Sequence, residues 1–225
     1  MKRSFVVALF LAFFAAPAFA GPPLVCHTFD IGNAKSLPWI SHNWNLTGSE
    51  SFDSKKLSAD TLAILDNNST VLVHMETLRR AALYGQKDPL ALKELLVRLV
   101  ARSDSAPANA AALASFDLGY FAETLGQAQF LNKSAGNPAQ GIDAYALVRK
   151  ALRLRPGDAQ MQFAAALITL DGPASDHRQY AQDAMTGANS DPLLARNLSS
   201  HFIGPQSETM AELLARNSNL KVAHP

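Results

Sequence analysis

The sequence predicts an all-α protein: an array of short antiparallel helices preceded by an irregular N-terminal segment. Three observations lead there. From about residue 58 almost to the end, apolar side chains recur every three or four residues. The periodic stretches open on Asp or Asp-Pro and close on Gly or Pro. Residues 21–57, by contrast, are rich in Gly, Pro, Asn and Ser, with scattered aromatics (Phe29, Trp39, Trp44, Phe52) and no sustained period. That segment is read as irregular, with room for one or two short strands, lying against the helices.

The helices can be justified in order. In STVLVHMETLRRAALYG, Val71, Met75, Leu78 and Ala82 share a face, and Gly85 is placed to supply a left-handed stop. Asp88-Pro89 opens the next helix, with Asp as N-cap and Pro where its missing N–H costs nothing. Leu92, Leu95, Leu96 and Leu99 line its buried side. A loop near Ser103–Ala106 leads to a long apolar helix holding Leu113, Phe116, Tyr120, Phe121 and Leu125. After the loop KSAGNPAQG comes GIDAYALVRKALRLRP, with Asp143 at its start and Arg149, Lys150, Arg153 and Arg155 toward its end, which suits the helix dipole. Asp158 caps the helix that Gly172-Pro173 ends. Further helices are predicted at about 176–187, 191–202 and 207–216.

Residues 1–20 read as a signal peptide: Lys2 and Arg3, an apolar run from Phe5 to Ala16, then Ala18-Phe19-Ala20 as a small-x-small cleavage site. The run is short of the ~20 residues a membrane span needs. The expected mature chain starts at Gly21, has no membrane span, and is periplasmic or secreted. Of the 20 basic residues two fall in the leader, leaving 18 against 19 acidic ones. A near-neutral chain with no basic run offers no electrostatic footprint for nucleic acid. One cysteine in an exported chain forms no internal disulfide, so apolar packing must hold the core together.

A repeat is visible within the array. AYALVRKALRLRP carries Ala144, Val148, Ala151 and Pro156 at spacings of four, three and five. AQDAMTGANSDP repeats this loosely with Ala181, Met185, Ala188 and Pro192, the proline one residue early, and Leu118-Gly119 precedes the first copy. Over residues 106–192 this resembles the tetratricopeptide repeat (TPR) family, whose small residues let stacked helix pairs approach closely. The resemblance implies a TPR-like α-solenoid over 58–225 whose concave face binds a protein or peptide. The opening GPPLVCHTFDIGNAKSLPW resembles the N-terminal segment of an uncharacterised group of bacterial exported proteins. That resemblance favours the bacterial envelope and carries no activity with it.

Motifs for disulfide exchange, haem attachment, zinc proteolysis, serine hydrolysis and phosphate binding are missing. Two clusters stand out nonetheless. Cys26, His27 and Asp30 bring a thiol, an imidazole and a carboxylate together, a set suited to zinc or copper or to a reactive thiol. Against this, neighbours in an extended chain point to opposite faces, and a free cysteine is commonly a small buried group. Trp39, His42 and Trp44 offer flat apolar faces with polar edges for a peptide or glycan, or else pin the irregular segment as a cap over one end of the array. His74 reads as a surface or interface histidine, and Arg79-Arg80 as a solvated helix face. The function expected is an exported, non-enzymatic module for a protein or peptide partner, without cofactor. The alternative is a small envelope protein dependent on a metal or on the Cys26 thiol.

Overall fold

The computed structural model describes residues 21–40, 46, 48–66, 70–133, 136–170 and 174–201. The expected leader, His42, Trp44 and the helix expected at 207–216 lie outside them. The described residues contain nine α-helices and no strand: α1 (Pro23–Cys26), α2 (Leu57–Asp66), α3 (Val71–Gly85), α4 (Pro89–Ser105), α5 (Ala111–Ala128), α6 (Ala144–Leu154), α7 (Ala159–Ile168), α8 (Ala174–Ala188) and α9 (Pro192–Ser200). A single 3-10 turn at Ser54–Lys56 leads into α2. All-α architecture is therefore as expected. No strand of the kind allowed for in the N-terminal segment is present among its described residues, and Pro23–Cys26 form a one-turn helix, α1.

Local chemistry starts four of these helices in the same way. Asp88, Asp143, Asp158 and Asp191 stand at the N-caps of α4, α6, α7 and α9. Each carboxylate accepts the N–H three residues on, at 3.1, 2.8, 3.1 and 2.9 Å respectively, and so satisfies an end group the helix itself cannot. Pro89 and Pro192 occupy the first turn. Gly85 departs from expectation: it is the last residue of α3, not a left-handed stop, and Gln86 after it is still right-handed. Its bareness serves packing, because a Cβ there would lie 2.3 Å from Leu92 Cδ1 of α4.

Amphipathic helices surround three, α3, α5 and α7, that have no exposed residue. On α4, Leu92, Leu95, Leu96 and Leu99 are buried as predicted. On α6, Val148, Ala151 and Leu152 are buried while Arg149, Lys150 and Arg153 face water. Helix α3 has no such solvent side. Every residue of it except Arg80 is buried, and α5 is nearly the same. The apolar residues of α3 (Leu72, Val73, Met75, Leu78, Ala81, Ala82, Leu83) go right round its circumference, the pattern of an interior helix.

Helices α3, α5, α7 and α9 form a row in which each touches the next, with α4, α6 and α8 packed between or beside them. Helix α3 also reaches α7, so the row is curved and its side chains converge on a common space. The N-terminal segment fills that space. Helix α1 contacts α3, α5 and α7 together, and Leu24, Phe29 and Leu37 belong to the same core cluster as residues from every one of the longer helices. The segment therefore runs along the row and does not cap one end of it.

Close approach at Gly119 of α5 brings α6 in. A Cβ there would meet Ala144 O at 2.7 Å, Leu147 Cβ at 2.9 Å and Val148 Cγ2 at 3.0 Å. Ala in place of Gly in a helix interior ordinarily gains up to about 1 kcal/mol. Here the obstructing atoms are backbone or close to it, and forcing the helices apart costs about 1–3 kcal/mol. Gly119→Ala is thus expected to lower the urea midpoint, and an unchanged or higher midpoint would show that the α5–α6 crossing is loose.

Candidate functional site

The polar lining of the curved row begins with three charged residues of α3. Glu76, Arg79 and Arg80 lie three and four positions apart and so share one side of the helix. Glu76 is fully buried and Arg79 is 1% exposed. The Glu76 carboxylate accepts from Arg79 Nε at 2.8 Å and Nη2 at 3.0 Å, and from Arg80 Nε at 2.7 Å. Burial by itself would raise the Glu76 pKa, but the two guanidiniums and a backbone N–H together hold it below the usual carboxylate value. The cluster is ionised and satisfied, the condition under which buried charge is tolerable.

These side chains then read the main chain of the N-terminal segment. Glu76 Oε2 accepts the Phe29 N–H at 3.0 Å, and Arg79 Nη1 donates to Val25 O at 3.1 Å. Arg80 Nη1 donates to Leu37 O at 2.6 Å. From α5, Gln127 Oε1 accepts the Leu24 N–H at 3.0 Å. From α9, Asn197 brackets one residue, accepting the Asp30 N–H and donating to Asp30 O, each at 2.8 Å. Side chains from three helices thus bond main-chain atoms of five residues in one strip of this segment, two of them in α1.

Apolar slots take the side chains that remain. Leu24, Val25 and Phe29 are buried, while Thr28 between them is exposed. The Phe29 ring stacks on His201 at 4.5 Å and meets Tyr120 and Phe163 edge-on at 6.5 and 6.1 Å. His27 lies 5.6 Å from His201, ring to ring. Burial pushes the His201 pKa down to about 4, with His27 and Arg79 adding to the fall and Asn197 and Glu76 opposing it. His27 is also lowered, by burial first and then by Arg79.

The residues singled out in the sequence fall in and beside this strip. Cys26 ends α1, partly buried, with its Sγ only 2.4 Å from where a Cβ on Gly21 would stand. Burial raises its pKa against the pull of Arg79. Asp30 faces outward, bonded to Arg196 Nε at 2.6 Å, and this bond is the main cause of its lowered pKa. Cys26, His27 and Asp30 therefore point to three different neighbours. Among the described residues no three His, Cys, Asp or Glu side chains gather as a metal site requires. Trp39 lies over Arg79 and Arg80, its ring centroid 5.1 and 5.8 Å from their guanidiniums, and meets Tyr84 edge-on. Tyr84 closes the loop behind it: its hydroxyl donates to Pro38 O and accepts the Ser49 N–H at 2.8 Å.

Two expectations need correcting. His74 is not at a surface: it is fully buried, its Nδ1 2.5 Å from Asp117 Oδ1, and Arg102 ties Asp117 to Asp66 at the edge of α2. This chain of charges joins α2, α3, α4 and α5. Arg79 and Arg80 are not a solvated face either. Charged residues are normally exposed unless paired; here both pair with Glu76 on the same helix, and the main-chain acceptors that complete their burial, Val25 O and Leu37 O, lie some fifty residues upstream. Gln127 and Asn197 carried no motif at all. The one available signal was the apolar circumference of α3, which leaves no side on which Glu76 and Arg79 could meet water.

An open polar cleft of about 630 Å³ lies at the N-terminal ends of α3, α7 and α9, but its polar side chains already serve one another. Gln160 accepts the Leu72 N–H and donates to Asp191, and Arg155 pairs with Asp158. No helix among the described residues is long and apolar enough to cross a membrane. No family model matches this chain, and no match is found among the curated proteins or the solved structures.

Proposed function

We propose that this chain is an exported, non-enzymatic helical-repeat module that binds a protein or peptide partner. The carrying observation is the set of side chains on the curved row, Glu76, Arg79, Gln127 and Asn197, that bond to the main chain of a segment laid along it. Main-chain hydrogen bonds supply affinity without demanding a sequence, and the slots between them supply choice. TPR-like stacking of helix pairs belongs to the same reading and is supported by the tight α5–α6 crossing at Gly119. Export to the periplasm or beyond rests on the leader sequence.

The thiol-dependent alternative draws less support. A thiol whose pKa is raised by burial is a poor nucleophile and a poor ligand until it loses its proton. The test has two steps. The chain lacking residues 1–20 is used for affinity capture from an envelope extract, and any partner recovered is purified and titrated back by calorimetry. A saturable complex with one partner is the expected result. Failure to recover any partner that rebinds, with bound zinc or copper found in the purified chain, would overturn the module reading in favour of the metal one.

A further inference from the structure

We infer that the face of the curved row is an exchangeable peptide site, taking a partner segment that enters as a single helical turn, with two adjacent aliphatic residues in that turn and a phenylalanine four residues after the second. Its place is the one now held by residues 24–30, and the inference rests on the module reading above.

The first ground is the kind of contact. A chain that merely closes its own core needs apolar complementarity, and replacing buried charge by apolar packing is often neutral or stabilising. Here the opposite is found. Glu76 and Asn197 are fully buried and Arg79 nearly so, and each spends a hydrogen bond on a main-chain atom of the segment. With the segment removed, the row would present a carboxylate, a guanidinium and two carboxamides to an incoming main chain, Gln127 and Arg79 toward a helical turn and Glu76 and Asn197 toward the residues after it. The amide of Asn197 pairs with both polar groups of one residue, a recognition that any amino acid except proline at that position satisfies.

The second ground is where side chains matter. Within residues 24–30 only Leu24, Val25 and Phe29 are buried; Thr28 and Asp30 are exposed, and Cys26 and His27 are partly so. The pattern required is therefore aliphatic-aliphatic-x-x-x-Phe, and the Phe slot is the selective one, walled by Tyr120, Phe163 and His201. Residues 32–35 are all exposed, so the strip leaves the row after Ile31 and is held again from Ser36, whose hydroxyl pairs with that of Thr77 at 2.9 Å, and Leu37. The groove ligand is thus a short stretch with a free run of chain after it, as an external peptide would have.

Competition sets the magnitude. A tethered segment has an effective concentration of order 1 mM, so a free copy at about 10 µM takes roughly one site in a hundred. Weakening the tethered copy opens the site. The probe is a fluorescein-labelled peptide of residues 21–40 carrying Cys26→Ser, read by anisotropy against the chain lacking residues 1–20. The expected result is weak binding to the wild-type chain and binding at least tenfold tighter to Phe29→Ala. That gain should vanish when the peptide itself carries Phe29→Ala, and fall at least tenfold when Asn197→Ala is added to the chain. Equal binding to the wild-type and Phe29→Ala chains, or binding indifferent to the peptide's own Phe, overturns the inference.

If Phe29→Ala does not fold, the wild-type chain still decides the matter through Cys26. Displacing the segment frees that thiol, so millimolar unlabelled peptide should speed its reaction with a thiol reagent several-fold, and an unchanged rate overturns the inference. Failure here with a rebinding partner in hand would leave the module reading standing and move its site elsewhere.

Discussion

Glu76→Ala is expected to destabilise the chain by about 3–5 kcal/mol, the cost of leaving buried charge uncompensated. The carboxylate is fully buried and neutralises two guanidiniums, one of them 1% exposed. Its removal strands Arg79 under the Trp39 ring and leaves the Phe29 N–H without its acceptor. Urea denaturation measures the loss. A double-mutant cycle identifies its cause: Glu76→Leu with Arg79→Met should lose less than the sum of the two single changes, since the fully buried guanidinium goes with its partner and only the partly exposed Arg80 is left unpaired. Additive losses would mean that the pair does not act as a unit. A second readout follows from position, because the segment held by Glu76 carries Cys26, whose labelling should quicken in the variant.

Acid should weaken the fold in a defined window. His201 has a folded pKa of about 4 against about 6.5 unfolded. Between those values the unfolded chain binds the proton that the folded chain refuses, so stability rises with pH there. The contribution is complete above about pH 6.5 and is lost as pH falls to about 4, to a total of about 3 kcal/mol. Geometry gives the reason. The Nδ1 of His201 is bonded to Asn197 O, and Nε2 has no hydrogen-bond partner among the described residues. The ring is packed against Phe29, Phe163 and His27, with Arg79 lowering its pKa further and Glu76 alone among the charges favouring protonation. His27 shifts in the same direction. Glu76 extends the loss below about pH 4.5, where its own lowered pKa makes ionisation a native-state asset that acid removes. Urea midpoints at pH 7.5, 5.5 and 4 should fall in that order, and His201→Gln should flatten the upper part of the slope. A midpoint constant from pH 7.5 to 4 would sink the account.

How far the sequence could be read depended on the range of the interaction. Asp88, Asp143, Asp158 and Asp191 were legible as caps because a cap bonds an N–H three residues on. The buried faces of α4 and α6 were legible because a helix repeats every 3.6 residues whatever surrounds it. Gly85 misled for the same reason in reverse: its role is set by Leu92 on another helix. Among the site residues, Trp39 proved to lie over Arg79 and Arg80, and Asp30 to face Arg196, 166 residues away.

Helix content, the Asp that opens each of four helices and the distinct texture of residues 21–57 were determined by the sequence alone, since each is written within a few consecutive turns of chain. The tertiary structure alone decided that Glu76, Arg79, Gln127 and Asn197 face one strip, and that the strip is the chain's own residues 24–30. Those contacts join positions from 47 to 167 residues apart. Which main-chain atom a buried charge will meet depends on how the helices curve around it, and no local pattern of residues records that curvature.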